Sequence, residues 1–226
     1  AVEVGEDSYK PNDARMRISD VVIDNNLIHD VANEYYGGLG ILLFYANGAK
    51  ITHNEIKNVP YSAINAGWGW ANNEYVESSR DFLISHNKIE NFCMELNDGG
   101  AIYMPNPTFG EAVVEKNYIV GSEPTMRTGT MLHGIYHDAF GANWTDRYNV
   151  IDCTIDWITG RGVKERDYFG SITAHDNYTT SKSGDNAGGI FEEIKEQTHY
   201  VESAEEWPEE ALQIIEESGL ESENEY

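Results

Sequence analysis

The chain has 226 residues, 40% of them apolar and 12% aromatic, which excludes wholesale disorder and leaves room for one large domain or two small ones. Its formal net charge is −24, from 39 acidic and 15 basic residues, so phosphate backbones are repelled and nucleic acid is not an expected partner. No apolar run approaches the roughly 20 residues that cross a bilayer, and abundant tyrosine (14) and glycine (21) favour β structure with tight turns.

The chain opens with Ala1-Val2-Glu3-Val4-Gly5, which reads as the middle of a β coil rather than a beginning. Further coils before residue 1, or another chain against an open edge there, are therefore expected. From there one phrase returns: an aliphatic residue, two variable residues, Asn, any residue, then an aliphatic. It reads Ile23-Asp24-Asn25-Asn26-Leu27-Ile28, then Ile51 to Ile56, Ile84 to Ile89 and Val114 to Ile119. Weaker copies surround Asn149 and Asn177. The six asparagines are 28, 33, 30, 32 and 28 residues apart, a period that marks a solenoid.

Alternating apolar residues suit strands with one face in a core. Asn suits a bend, because it tolerates left-handed geometry and its amide can bond neighbouring backbone. Identical asparagines can also bond one another in a ladder. A further strand follows each phrase, at Gly40–Leu43, Ala63–Asn65, Gly100–Tyr103, Gly134–Tyr136 and Gly189–Phe191. Two or three short strands per coil of about 30 residues describe an all-β, right-handed parallel β-helix over residues 1–200. Residues 201–226 read as a short C-terminal helix and acidic tail. Ser203 to Glu206 is a capping box, Pro208 suits a first turn, and Gly219 is a stop. Trp207, Ala211, Leu212 and Ile215 form an apolar stripe that is expected to cap the last coil. From Glu192 onward 13 acidic residues face one lysine, which places half of the net charge there.

Chemistry is sought where coils depart from the repeat. Three successive coils do so, at Pro60-Tyr61 to Trp70, Asn97-Asp98-Gly99-Gly100 to Tyr103, and His133-Gly134-Ile135-Tyr136-His137-Asp138. Neighbouring coils lie about 4.8 Å apart, so these segments share one face. Asp98 and Asp138 are candidates for the carboxylate pair of glycoside hydrolysis. Asp98 also fits a plain Asn-Asp-Gly turn, and Asp138 a plain loop carboxylate. Along a straight strand the two would stand roughly 20 Å apart, so Glu193 is an alternative partner for Asp138, at the same offset from Ile190 as Asp138 from Ile135. Trp68 and Trp70, flanked by glycines, suit stacking on a sugar ring or filling of the core. Tyr103, Tyr136 and His137 complete the candidate substrate contacts. His29, His53 and His86 read as turn residues, and Cys93 and Cys153 as buried thiols. No metal-ligand or cofactor pattern is present, and neither a metal nor a cofactor is expected.

Together these segments resemble bacterial β-helix glycosidases, most nearly glycoside hydrolase family 141 and more distantly family 120. The likeness runs over about residues 20 to 225. It implies secretion or a periplasmic location, an oligo- or polysaccharide substrate, and two catalytic aspartates falling on Asp98 and Asp138. Ala63 and Asn65 depart from the family pattern. The acidic surface favours a neutral glycan, and the resemblance implies a plant or microbial one. The rival readings are a calcium-dependent polysaccharide lyase, for which Arg161 to Arg166 could supply a base, and a non-catalytic glycan-binding β-helix.

Overall fold

The computed structural model describes residues 1–5, 17–70, 79–139, 141–153, 155–161, 170–187, 191–193 and 198–221. The chain is a parallel β-solenoid of three seven-stranded sheets with one short helix near its C-terminus. The first sheet runs in the order Val2–Val4, Ile41–Leu43, Ile64–Ala66, Gly99–Met104, Leu132–His137, Ile158–Arg161 and Gly184–Ala187. The second begins at Val22–Asp24 and ends at Phe191–Glu193; the third begins at Leu27–His29 and ends at Thr198–Tyr200. Every pairing is parallel, so each coil contributes one strand to each sheet. Val2–Val4 stands at the edge of its sheet, with a strand partner on one side only among the described residues.

The repeat sets the register. Ile23, Ile51, Ile84 and Val114 form one interior column in the second sheet, and Ile28, Ile56, Ile89, Ile119 and Ile151 another in the third. All nine are buried in one continuous core. Between the two columns the asparagines form the expected ladder. Nδ2 of Asn26, Asn54, Asn87, Asn117 and Asn149 each donates to Oδ1 of the next asparagine, the last of which is Asn177, at 2.9 Å in every step. Each accepting Oδ1 also takes the backbone N–H of the asparagine before it, at 2.9–3.1 Å. Asn54 to Asn177 are fully buried, so the ladder satisfies amides and backbone that water cannot reach. The residue before each ladder position is Asn25, His53, His86, Lys116, Tyr148 or Asp176, and all six have φ between 51° and 56°.

The C-terminal helix differs from its expected placement. Ser203 caps only a short 3-10 turn, Ala204–Glu206, and helix α1 begins at Glu209 after Pro208. Its buried side is Trp207, Ala211 and Ile214, whereas Leu212 is exposed. These residues pack on Val150 and Tyr178 of the third sheet. The helix therefore lies along the side of the solenoid and not across its end. The tail then descends coil by coil. Ser218 Oγ donates to the Lys116 carbonyl (3.1 Å), Gly219 N–H to the His86 carbonyl (2.8 Å) and Glu221 N–H to Asn25 Oδ1 (2.9 Å). Residues 222–226 of the expected acidic tail lie outside the described residues.

Cys93 and Cys153 are free and buried. Burial pushes both thiols from an ordinary value of 9.0 up to about 12. A raised folded-state pKa contributes stability that is complete below the unfolded value and is lost as pH rises through the folded one. Thermal denaturation should therefore show stability falling between pH 9 and about 12, and Cys93→Ala/Cys153→Ala should flatten that decline.

The ladder generates a second expectation. Asn117→Ala leaves the Ile84 carbonyl, Asn87 Nδ2 and the Asn87 N–H without their partner inside the core. It should cost about 2–4 kcal/mol in denaturant unfolding, whereas Asn26→Ala at the exposed end of the ladder should cost under about 1 kcal/mol.

Candidate functional site

Two strands of the first sheet, Gly99–Met104 and Leu132–His137, are twice the length of most of their neighbours and do not alternate simply. Ala101 and Ile102 are adjacent, yet both lie in the core; Leu132 and Ile135, three apart, do so as well. This break in alternation turns Tyr103 and Tyr136 away from the continuous core, in register with each other, although both side chains are covered. Their rings lie 5.1 Å apart. Asn65 precedes them in the same column and Thr159 follows.

The tyrosine pair joins the two candidate carboxylates. Tyr136 Oη donates to Asp98 Oδ1 at 3.1 Å, and Tyr103 Oη donates to Asp138 Oδ2 at 2.8 Å. Both carboxylates are thus tied to one aromatic patch, Asp98 from just before the strand Gly99–Met104 and Asp138 from just after Leu132–His137. Asp98 is exposed and sits in a left-handed turn (φ 57°), a conformation Asp tolerates, with its N–H on the Met131 carbonyl at 2.9 Å. Asp138 is half-buried and more tightly held. Its Oδ1 accepts the Ala139 N–H (2.7 Å), and its carbonyl accepts the Gly141 N–H (2.8 Å).

Gly99 and Gly100 belong to this arrangement through the space they leave. A Cβ on Gly99 would stand 2.7 Å from the Tyr61 ring and 2.8 Å from Ser62 Oγ. One on Gly100 would stand 3.1 Å from Tyr136 Cβ. Tyr61 approaches from the coil before and donates to the Asp98 carbonyl at 2.8 Å.

The phenols remain protonated donors. Burial pushes Tyr61 up to about 12, with the Asp98 and Asp138 carboxylates adding to the shift. Burial also raises Tyr103, helped by Asp138, and Tyr136, helped by Asp138 and Asp98.

Trp70 borders the patch. Its Nε1 donates to Tyr103 Oη at 3.2 Å, and the side chain is 47% exposed. Left-handed backbone at Gly67, Gly69 and Trp70 itself swings the indole outward. Trp68 is half-buried, edge-on to Phe44 (4.8 Å) and to Trp70 (4.5 Å), so it supports Trp70 from behind.

Two sequence-predicted residues do not join this patch. His137 occupies the interior column of Met104 and is fully buried. Its Nε2 lies 2.6 Å from Asp146 Oδ2, and Asp146 itself stands where other coils place Ile84 and Val114. His137 thus anchors the strand behind Asp138 and cannot meet a substrate on the outer face. Glu193 closes Phe191–Glu193, a strand of the second sheet paired with Ile172 and Thr173. The first-sheet strand of that coil is Gly184–Ala187, so the sequence alignment of Ile190 with Ile135 matched strands from different sheets. Ile190 and residues 162–166 lie outside the described residues. Tyr61, His133 and Thr159 face the patch without having been singled out; only the paired glycines of Asp98-Gly99-Gly100 hinted that neighbouring side chains lean across.

Among the described residues no group of three or more His, Cys, Asp or Glu could hold a metal ion, and no helix is long and apolar enough to cross a membrane. No family model matches the chain, and no curated protein does. Among solved structures it is similar to a protein titled "Glycoside hydrolase", at 25% identity and a TM-score of 0.55. The match covers 95% of this chain and 30% of the other, so the chain spans less than a third of that protein's length.

Proposed function

We propose that the chain carries a glycoside hydrolase site acting on a neutral plant or microbial glycan, with Asp98 and Asp138 as its carboxylates. The observation that carries this reading is the pairing of each carboxylate with one hydroxyl of the same tyrosine pair, on the outer face of the first sheet. Similarity to a solved structure titled as a glycoside hydrolase supports it, as does the resemblance of these segments to family 141.

The two aspartates differ in their surroundings, and the difference suggests their roles. Asp98 is exposed, and one of its oxygens is engaged by Tyr136. It is suited to pass a proton to the glycosidic oxygen as the bond to the leaving sugar breaks. Asp138 accepts hydrogen bonds on both oxygens, from Tyr103 and from the Ala139 N–H, which fix its orientation. It either attacks the anomeric carbon or takes a proton from the water that attacks. In both routes water ends divided, its hydroxyl on the anomeric carbon and its hydrogen on the departing sugar. The anomer released first, read by NMR, distinguishes the routes. Trp70 offers an uncovered indole face to a sugar ring. The reading carries with it secretion or export to the periplasm, where such glycans are met.

A panel of neutral aryl glycosides and oligosaccharides, with uronans as the contrast, tests the proposal. Asp138→Asn should lower hydrolysis about 10²–10⁴-fold, with unfolding free energy changed by no more than about 0.5 kcal/mol. Unchanged hydrolysis by that variant would end the enzymatic reading at this residue. Retained glycan binding without any hydrolysis in the parent chain would favour a binding module. Trp70→Ala should raise KM about threefold to tenfold while kcat holds.

A further inference from the structure

Beside the tyrosine pair lies a histidine that the chemistry above does not use. His133 is in register with Gly100 of the preceding coil, and its side chain is 2% exposed. Its Nδ1 shares a hydrogen bond with Thr159 Oγ1 at 2.8 Å and lies 3.6 Å from the Asp156 carboxylate. Both partners belong to the following coil, where Thr159 stands in register with Tyr136. Asp156 is in turn bonded by the Ser183 hydroxyl. His133 beside it holds the Asp156 carboxyl below its ordinary value, with Ser183 and the Arg161 charge adding to the effect.

On its other side the His133 ring meets Tyr136, with centroids 4.6 Å apart and planes at 60°. Tyr136 has little choice of direction. A Cβ on Gly100 would stand 3.1 Å from the Tyr136 Cβ, so the glycine leaves it room, and Asp98 lies within reach of its hydroxyl. His133 Nε2 is buried and has no hydrogen-bond partner among the described residues. A residue kept only for packing would not carry that uncompensated polar atom.

We propose that His133 is a positioning residue for Asp98: its imidazole, tied to Thr159 and Asp156, wedges Tyr136 over Gly100 so that the phenol hydroxyl meets the carboxylate. Asp98 would then be oriented through a chain of three coils, from Asp156 and Thr159 to His133, to Tyr136, to the carboxylate. The inference rests on Asp98 being a working carboxylate of the proposed hydrolase, but the geometry it asserts can be tested separately.

The test uses crystal structures and kinetics of His133→Ala and of Thr159→Val, the second of which removes the anchor while preserving volume. In both variants Tyr136 Oη is expected to withdraw from Asp98 beyond about 3.5 Å. On any substrate the parent chain hydrolyses, kcat should fall about tenfold, the worth of one lost hydrogen bond. His133→Ala should add little to Tyr136→Phe when the two are combined, since both act through the same bond. Tyr136 remaining at hydrogen-bond distance from Asp98 in both variants overturns the proposal, and so do effects on kcat that multiply. Withdrawal of Tyr136 with hydrolysis unchanged would uphold the positioning and remove Asp98 from the chemistry instead.

Discussion

Everything in this fold is hung on a column of amides. A primary amide has donors on one edge and an acceptor on the other, so a copy displaced by one coil can bond the first in the same way, and the next copy again. The spacing that satisfies the ladder is the spacing of the sheets, about 4.8 Å. The ladder also fixes the corner. Each asparagine is preceded by a residue in the left-handed region whether that residue is Asn, His, Lys, Tyr or Asp. Such backbone costs roughly 1–2 kcal/mol at residues other than Gly, Asn and Asp. The buried hydrogen bonds that follow, several at each asparagine, offset it. The second and third sheets consequently meet at a constant angle, and the first sheet is carried in a constant place.

That constancy is why the architecture was legible in the sequence. The aliphatic columns and the asparagine period are enforced once per coil, and six repetitions outweigh local noise. The weaker copies carry their own reason. At the fifth ladder coil the interior aliphatic is replaced by Asp146, which is accommodated because His137 reaches it from the first sheet. A substitution that looked like decay of the repeat is a paired substitution across the core. The placement of helix α1 could not be read in this way. An apolar stripe announces that a helix packs on something, but whether that surface is an end or a side depends on which coil faces are left apolar, here Val150 and Tyr178.

The site was legible in its residues and much less so in its geometry. Aspartates, glycines and tryptophans in three successive coils stood out because they break the repeat. Which of them share a face turned on a break in alternation within two strands. Ala101 beside Ile102, and Leu132 three residues from Ile135, defeat any count by twos. Alternation puts Tyr136 and His137 on opposite faces without saying which face is the core; in the fold His137 is sealed inside and Tyr136 reaches a carboxylate. The misplacement of Glu193 has a different cause. The pairing shifts there between Ile172 and Thr173, and Phe191–Glu193 belongs to the second sheet although the Gly-Ile-Phe phrase reads in the sequence like those of the first.

The descending tail changes what kind of object the solenoid is. A stack in which each coil touches only its neighbours is one-dimensional, free to fray from either end one repeat at a time. Here Glu221 bonds Asn25 across 196 residues of sequence, and the tail touches the coils of Lys116 and His86 on its way. Fraying at the coil of Asn25 must first peel away Glu221, and the chain is thereby drawn toward a single cooperative unit. The same closure has a temporal side. Residues 218–221 follow in sequence the coils whose corners they clasp, so during synthesis those coils wait, stacked but unclasped, until the tail has been made.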